Sequence, residues 1–303
     1  MSVFVQQTGT TCEFSNSDSW VILSPIEQSI KRKIESVGTP LKDWDINIYR
    51  GVLTGYNEAF IISTEKRDEI LANCQSDDER KRTEELIRPI LRGRDIKRYG
   101  YNWAGLYLIA TFPSRHYDIE KYPAVKNYLL SFGIERLEQT GKEHNVNGEK
   151  IKARKKTNNK WFETQDSISY WEDFSKPKII WKRIGSILRF SYDNMEHLGL
   201  DSTCFATGVN IEFVCCVLNS QMGHYLLKDS PKTGTGDLLI SVQAIEPIRI
   251  PHIDWETNMN FKKLLMDLIK DNSLAKEQEI SRKVFELYDL SPNEQSYIEK
   301  NFT

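Results

Sequence analysis

Apolar residues recur at every third or fourth position near both ends of the chain, and in alternation or unbroken runs between them. After an irregular start, Ser24-Pro25-Ile26-Glu27 has the form of a capping box with proline at the first helical position. Ile26, Ile30, Ile34 and Val37 then mark one helical face, closed by Gly38. DINIYRG alternates as a strand does and runs into GVLTGYNEAFII, where Gly51 and Gly55 bracket a turn before a second apolar strand. This spacing predicts a hairpin-like element presenting Thr54 to Glu58. Residues 65–90 read as helical and highly charged, ending near Pro89, and ILRGRDIKRY leads into a strand at LYLIATF.

Val125, Leu129, Ile134 and Leu137 have helical spacing with a break at Gly133, whereas 141–160 is polar, basic and unpatterned and reads as a loop, poorly ordered on its own. KIIWKRI and SILRFSY read as strands joined at Gly185-Ser186, with TCFATG as a third. Val214, Val217, Leu218, Met222 and Tyr225 predict a buried helix over 211–227, which accounts for Cys215 and Cys216 as core residues. Beyond Pro251 two long stripes follow, Phe261/Leu264/Leu265/Leu268 and Ile280/Val284/Leu287/Tyr288, then a second capping box at Ser291-Pro292-Asn293-Glu294. The expectation is an α+β fold in three parts: an N-terminal segment and helix over 1–43, a sheet-rich lobe over 44–250, and a C-terminal helical scaffold over 251–303.

Hydrophobic residues make up 39% of the 303 positions and charged residues 28%, with no apolar run near the ~18 residues of a membrane helix. No secretory pattern stands at the start, so the expected location is the cytoplasm. The five cysteines show no CxxC spacing and the five histidines no HxxxH or HxH pair, so reduced structural thiols and no metal are expected.

The net charge of −2 hides strong segregation. Lys142 to Lys160 holds seven basic residues against Glu143 and Glu149, and Arg80 to Arg98 holds eight against Glu84, Glu85 and Asp95. Either run can be a solvated loop. Together they have the composition of a phosphate-facing surface.

Motifs for chemistry are missing. No glycine-rich turn for S-adenosylmethionine occurs, and no two prolines adjoin, which excludes the Asp/Asn-Pro-Pro-Tyr/Phe motif of amino-methylating enzymes. No proline precedes an aspartate, as metal-dependent nucleases of the Pro-Asp…Asp/Glu-x-Lys type require, and Glu79-Arg80-Lys81 is read as a solvated helix face. The SPKTGTGD loop lacks P-loop spacing. No cofactor is expected. In NNKWFETQDSISYW, by contrast, Lys160 is suited to phosphate, and Asn158, Asn159 and Gln165 to bidentate contacts with adenine, while the aromatics anchor the segment.

Several segments together resemble the TaqI-like C-terminal specificity domain of bifunctional restriction-methylation enzymes, including type IIG enzymes. They are LKDWDINIYRGVLTGYNEAFII, IRPILRGRDIKRY, the basic loop with KWFE, FSKPKIIWKRI, VCCVLNSQM, IEPIRIP and EISRKVFELYDLSPNEQSYIE, in the expected order over about 20–300. The resemblance implies a target-recognition lobe contacting the DNA major groove and helices forming a scaffold. It also implies a methyltransferase domain, with or without a nuclease domain, as partner in cis or as a separate subunit, and no catalysis in this chain. The phosphate-binding candidates are Arg94, Lys97, Arg98, Arg154, Lys155, Lys156 and Lys160; the base-reading candidates are Thr54, Asn57, Asn158 and Gln165. The rival reading is a helical protein-interaction scaffold without direct DNA contact.

Overall fold

The computed structural model describes residues 23–302. Helix α1 (Pro25–Val37) starts at Ser24, whose side chain caps Glu27 N while Glu27 returns the bond, and it leads into β1 (Gly38–Pro40) and β2 (Ile46–Arg50). A short helix α2 (Asn57–Phe60), β3 (Ile61–Ser63), α3 (Thr64–Ala72), α4 (Asp77–Leu86), β4 (Ile87–Leu91) and β5 (Leu106–Ile109) follow. Then come α5 (Pro123–Leu130), α6 (Ile134–Leu137) and the strands β6 (Glu143–Val146) and β7 (Glu149–Lys152). The strands β8 (Lys178–Lys182), β9 (Ile184–Gly185), β10 (Phe190–Asp193), β11 (Leu198–Gly199) and β12 (Thr203–Gly208) precede α7 (Ile211–Asn219) and α8 (Gln221–Leu226). The chain closes with β13 (Leu238–Leu239), α9 (Val242–Ile245), β14 (Arg249–Pro251), α10 (Trp255–Asp271), α11 (Leu274–Leu287) and α12 (Pro292–Asn301). The fold is α+β.

Its centre is the antiparallel sheet β10-β8-β12-β2. Both faces are covered, which is why Ile179, Ile180 and Trp181 are apolar in succession where a one-sided strand would alternate. Ile179, Trp181, Phe190, Cys204 and Ala206 pack on one side against α7, α10 and α11, through Phe213, Val217, Phe261, Leu265, Ile280 and Val284. Ile180 and Phe205 pack on the other side against a second sheet, β11-β4-β5-β3, and α5. α1 belongs to the helical side: Ile30 joins that core, β1 pairs with β14, and Ser29 and Lys33 both bond Glu294 of α12.

A buried ion pair sits in the central sheet. Lys178, 0% exposed, lies 2.6 Å from Asp193, which also accepts from Tyr101 Oη and bonds His197 Nδ1. Burial opposes ionisation of Asp193, but His197 and Lys178 outweigh it and hold the carboxyl well below the usual range.

Four readings of the sequence are corrected. The strand after Gly55 does not fold back on β2: the chain turns through α2 and β3 pairs with β5 in the other sheet. Gly51 is required because an added Cβ would stand 2.1 Å from Leu200 O, where β2 passes the 199–200 backbone, so only Gly55, at φ +79°, makes a turn. The helical stretch 65–90 is two helices, and its end is strand β4, with Pro89 inside it. Glu79 is 3% exposed and far from solvated: its carboxylate accepts from Gln75 N and from Ala124 N at the start of α5. Finally, 141–160 is not an unpatterned loop. β6 and β7 form a hairpin, Glu143↔Lys152 to Val146↔Glu149, around Asn147 (φ 53°) and Gly148 (φ 87°). Asn-Gly supplies the two positive φ angles that a two-residue hairpin turn demands.

Cys204, Cys215 and Cys216 are buried free thiols, and burial pushes Cys204 up to about 11 and the other two higher still. Cys12 lies outside the described residues. No described helix is long and apolar enough to cross a membrane, and no group of His, Cys, Asp or Glu among the described residues could hold a metal ion.

Candidate nucleic-acid interface

Arg154 organises the segment after the β6–β7 hairpin. It is 4% exposed, and its guanidinium donates to four backbone carbonyls: Leu137 O (2.8 Å), Thr54 O (2.9 Å), Glu163 O (2.8 Å) and Trp161 O (2.6 Å). Burial lowers its pKa to about 10, against the attraction of Glu163, so it stays charged at neutral pH. The expected phosphate contact is therefore corrected: the side chain is buried and four of its five N–H groups donate inside the protein. What Arg154 does is tie the Thr54 turn, α6 and the strap 155–170 into one body.

Thr54 is corrected on the same ground. It is 0% exposed, its hydroxyl donates to Asn57 Oδ1 (2.6 Å) and accepts from Tyr56 N (3.1 Å), and no face is left for a base. Arg98 is also committed elsewhere, paired with Glu277 at 2.8 Å and donating to Asn219 O at 2.9 Å, on the side of the C-terminal helices.

The remaining candidates fall into two places. Asn57, Lys155, Lys156, Asn158 and Lys160 are exposed and Gln165 is half-buried around the strap. A Cβ on Gly55 would stand 2.9 Å from Gln165 Oε1, so the two segments expected to read bases do converge. Gln139 and Asn159 hold the strap's shape, with Gln139 donating to Lys160 O and Glu163 O, and Asn159 to Thr164 O and Gln165 O. Thr157, Asn159, Gln165, Ser167 and Tyr170 line an open cleft of about 480 Å³ there. Ile168, a buried β-branched residue at φ 51°, marks local strain in its wall.

Arg94 and Lys97 lie at one end of the central sheet. Gly93 packs on Lys182 and Ser202, and Lys97 N bonds Ser191. The sequence reading missed the basic residues gathered there: Arg50 closes β2, Lys182 and Arg183 close β8, and Arg189 precedes β10. A strand whose apolar run ends in Lys-Arg just before a Gly-Ser turn was the available signal. It also missed the hairpin's outer face, where exposed Asn145 stands across from Lys150, and Lys152 from Glu143.

Lys142, Lys150, Lys152, Lys155, Lys156 and Lys160 are all exposed, and none lies within 4.0 Å of a carboxylate among the described residues. The first basic run is different. Arg80 is paired with Glu84, Arg88 with Glu196, Arg92 with Asp95 and Arg98 with Glu277.

Residues 88–248 match the family of the TaqI-like C-terminal specificity domain, over more than half of the chain. No curated protein matches. Among solved structures, the type IIL restriction-modification enzyme MmeI, in a structure with DNA, is similar over 87% of this chain and 35% of its own, with a TM-score of 0.55 and 10% identity. The type IIG restriction endonuclease BpuSI is similar over 91% of this chain and 32% of its own, with a TM-score of 0.50 and 12% identity. At such identities the likeness is one of fold, and the chain spans about a third of the length of either enzyme.

Proposed function

The chain belongs to the family of TaqI-like C-terminal specificity domains, and from that membership and the surface just described we propose that it binds double-stranded DNA by sequence as the target-recognition part of a restriction-modification enzyme. The observation that carries the reading is the set of six exposed lysines, without an ion pair among the described residues, on a hairpin and strap where Asn57, Asn158 and Gln165 also gather. A two-stranded ribbon is one of the elements that the major groove admits. Lys142, Lys150, Lys152, Lys155, Lys156 and Lys160 supply the salt-dependent, sequence-independent part of affinity by displacing counterions. Asn57, Asn145, Asn158 and Gln165 supply the sequence-dependent part, each good bidentate contact contributing about 1–3 kcal/mol of discrimination. Arg50, Arg94, Lys97, Lys182, Arg183 and Arg189, at the end of the central sheet, hold a further stretch of backbone.

In this reading 44–250 carries the DNA-facing elements, 251–303 the scaffold, and the chain reads DNA without acting on it. A methyltransferase domain, with or without a nuclease domain, performs the chemistry in cis or as a separate subunit, in the cytoplasm. MmeI is by name a restriction-modification enzyme and BpuSI a restriction endonuclease, and each is about three times longer than its matched region.

The test is selection of bound duplexes from a randomised pool, followed by sequencing. A defined motif is expected, with Asn57→Ala or Gln165→Ala relaxing one or two of its positions and leaving the others. A pool that emerges unenriched would overturn sequence-specific binding and favour the scaffold reading.

A further inference from the structure

A separate cavity of about 290 Å³ lies where α4, the start of β4 and the end of β5 meet the segments around Arg115, Tyr122 and Trp171. Its floor is apolar, from Leu86, Ala110, Phe112 and Leu198, and its rim is cationic and aromatic. The guanidinium of Arg115 lies over Trp171, 3.7 Å from the ring centroid, and Tyr117 meets Tyr122 edge-on at 5.9 Å. Of the three lining arginines, Arg88 is neutralised by Glu196 at 2.8 Å. Arg82 and Arg115 face one lining carboxylate, Glu85, and form no ion pair with it. Among the described residues the buried Nε of Arg82 has no acceptor, and the side chain donates through Nη2 to Lys121 O at 3.3 Å. An unmet buried guanidinium donor is costly, and its natural complement is an anionic oxygen.

We propose that this cavity binds a single nucleotide, its phosphate between Arg82 and Arg115 and its base against Phe112 and Tyr122. The volume lies at the small end of ligand sites, which fits one nucleotide and no longer unit. Aromatic walls beside guanidinium groups suit a planar base joined to a phosphate better than a phosphate alone. The same chemistry has two sources, a free 5′-mononucleotide or an unpaired nucleotide of a DNA strand. The site is independent of the lysine surface, since the cavity's residues are none of those assigned to duplex contact.

The experiment titrates the whole chain with AMP, adenosine and inorganic phosphate by calorimetry, and with a duplex carrying one bulged adenosine against its fully paired counterpart, in competition with AMP. AMP is expected to bind at least tenfold more tightly than adenosine or phosphate if the source is free nucleotide. Preferential binding of the bulged duplex is expected if the source is a strand. Arg115→Ala and Arg82→Gln, each checked for an unchanged thermal melt, should weaken that binding at least tenfold, while Lys155→Ala leaves AMP binding unchanged. Absence of saturable binding by both AMP and the bulged duplex, phosphate binding as tightly as AMP, or binding indifferent to both arginine variants would each overturn the assignment. Loss of duplex binding in lysine variants, with AMP binding intact, concerns only the DNA surface.

Discussion

Between Arg80 and Arg98 four of the eight basic side chains pair with acids, two of which are distant in sequence: Arg88 with Glu196 and Arg98 with Glu277, beside Arg80 with Glu84 and Arg92 with Asp95. Between Lys142 and Lys160 the lysines are exposed on a hairpin and strap, none within 4.0 Å of a carboxylate among the described residues, and the basic residue that turns inward is Arg154. The runs have about the same net charge, but six of the eight basic residues in the first are arginine, and six of the seven in the second are lysine. Arginine's planar fork meets carboxylates and several carbonyls at once; lysine's compact, strongly hydrated ammonium makes fewer such contacts and is buried at Lys178 against the carboxylate of Asp193. Charge density alone therefore misleads, and what separates the runs is how many of their cations are paired with acids.

Breaking the inward contacts should cost the most. Arg154→Ala leaves the carbonyls of Thr54, Leu137 and Trp161 without this donor and Glu163 O with Gln139 alone, and a stability loss on the order of 3–5 kcal/mol is expected in urea unfolding. Lys156→Ala, two residues on, should stay within about 0.5 kcal/mol. Asp95 comes next. Burial opposes its ionisation, yet the hydrogen bonds and charge of Arg92 lower its pKa, so its contribution is present above the unfolded carboxylate's pKa of about 4 and is lost as pH falls below it. Asp95→Ala should cost about 2 kcal/mol at pH 7 and shrink the stability difference between pH 6 and pH 3; an unchanged acid limb would remove Asp95 from the account. Arg88→Ala breaks a pair whose Glu196 is more than half exposed, and about 1 kcal/mol or less is expected by the same measurement.

Much of the fold was legible because helix ends and apolar periods are local signals. Ser24 and Ser291 cap as their sequences say, and Cys215 and Cys216 lie in the core as their helical spacing implied. What could not be read depended on partners far along the chain. No local signal tells that Gly51 must clear Leu200, that Glu79 caps α5, or that Arg98 finds Glu277. Two local signals were present and unread: Asn147-Gly148, a hairpin turn, and arginine isolated among lysines at 154, which marks a buried staple. Of the site, the strap and its neighbour at Asn57 were legible from composition, while the basic end of the central sheet was hidden because Arg50, Lys182 and Arg189 come from separate strands.

The claim that the lysine run faces DNA and the acid-paired arginines 80, 88 and 92 do not is tested most directly by the salt dependence of duplex binding, followed by fluorescence anisotropy on the whole chain. Removing one cation that neutralises a phosphate should lower the slope of log K against log salt by about 0.9. Replacing Lys150, Lys152, Lys155 and Lys156 by alanine should reduce that slope by up to about 3.6, whereas replacing Arg80, Arg88 and Arg92 should leave it unchanged. A slope that survives the lysine variant, or falls in the arginine variant, would contradict the account.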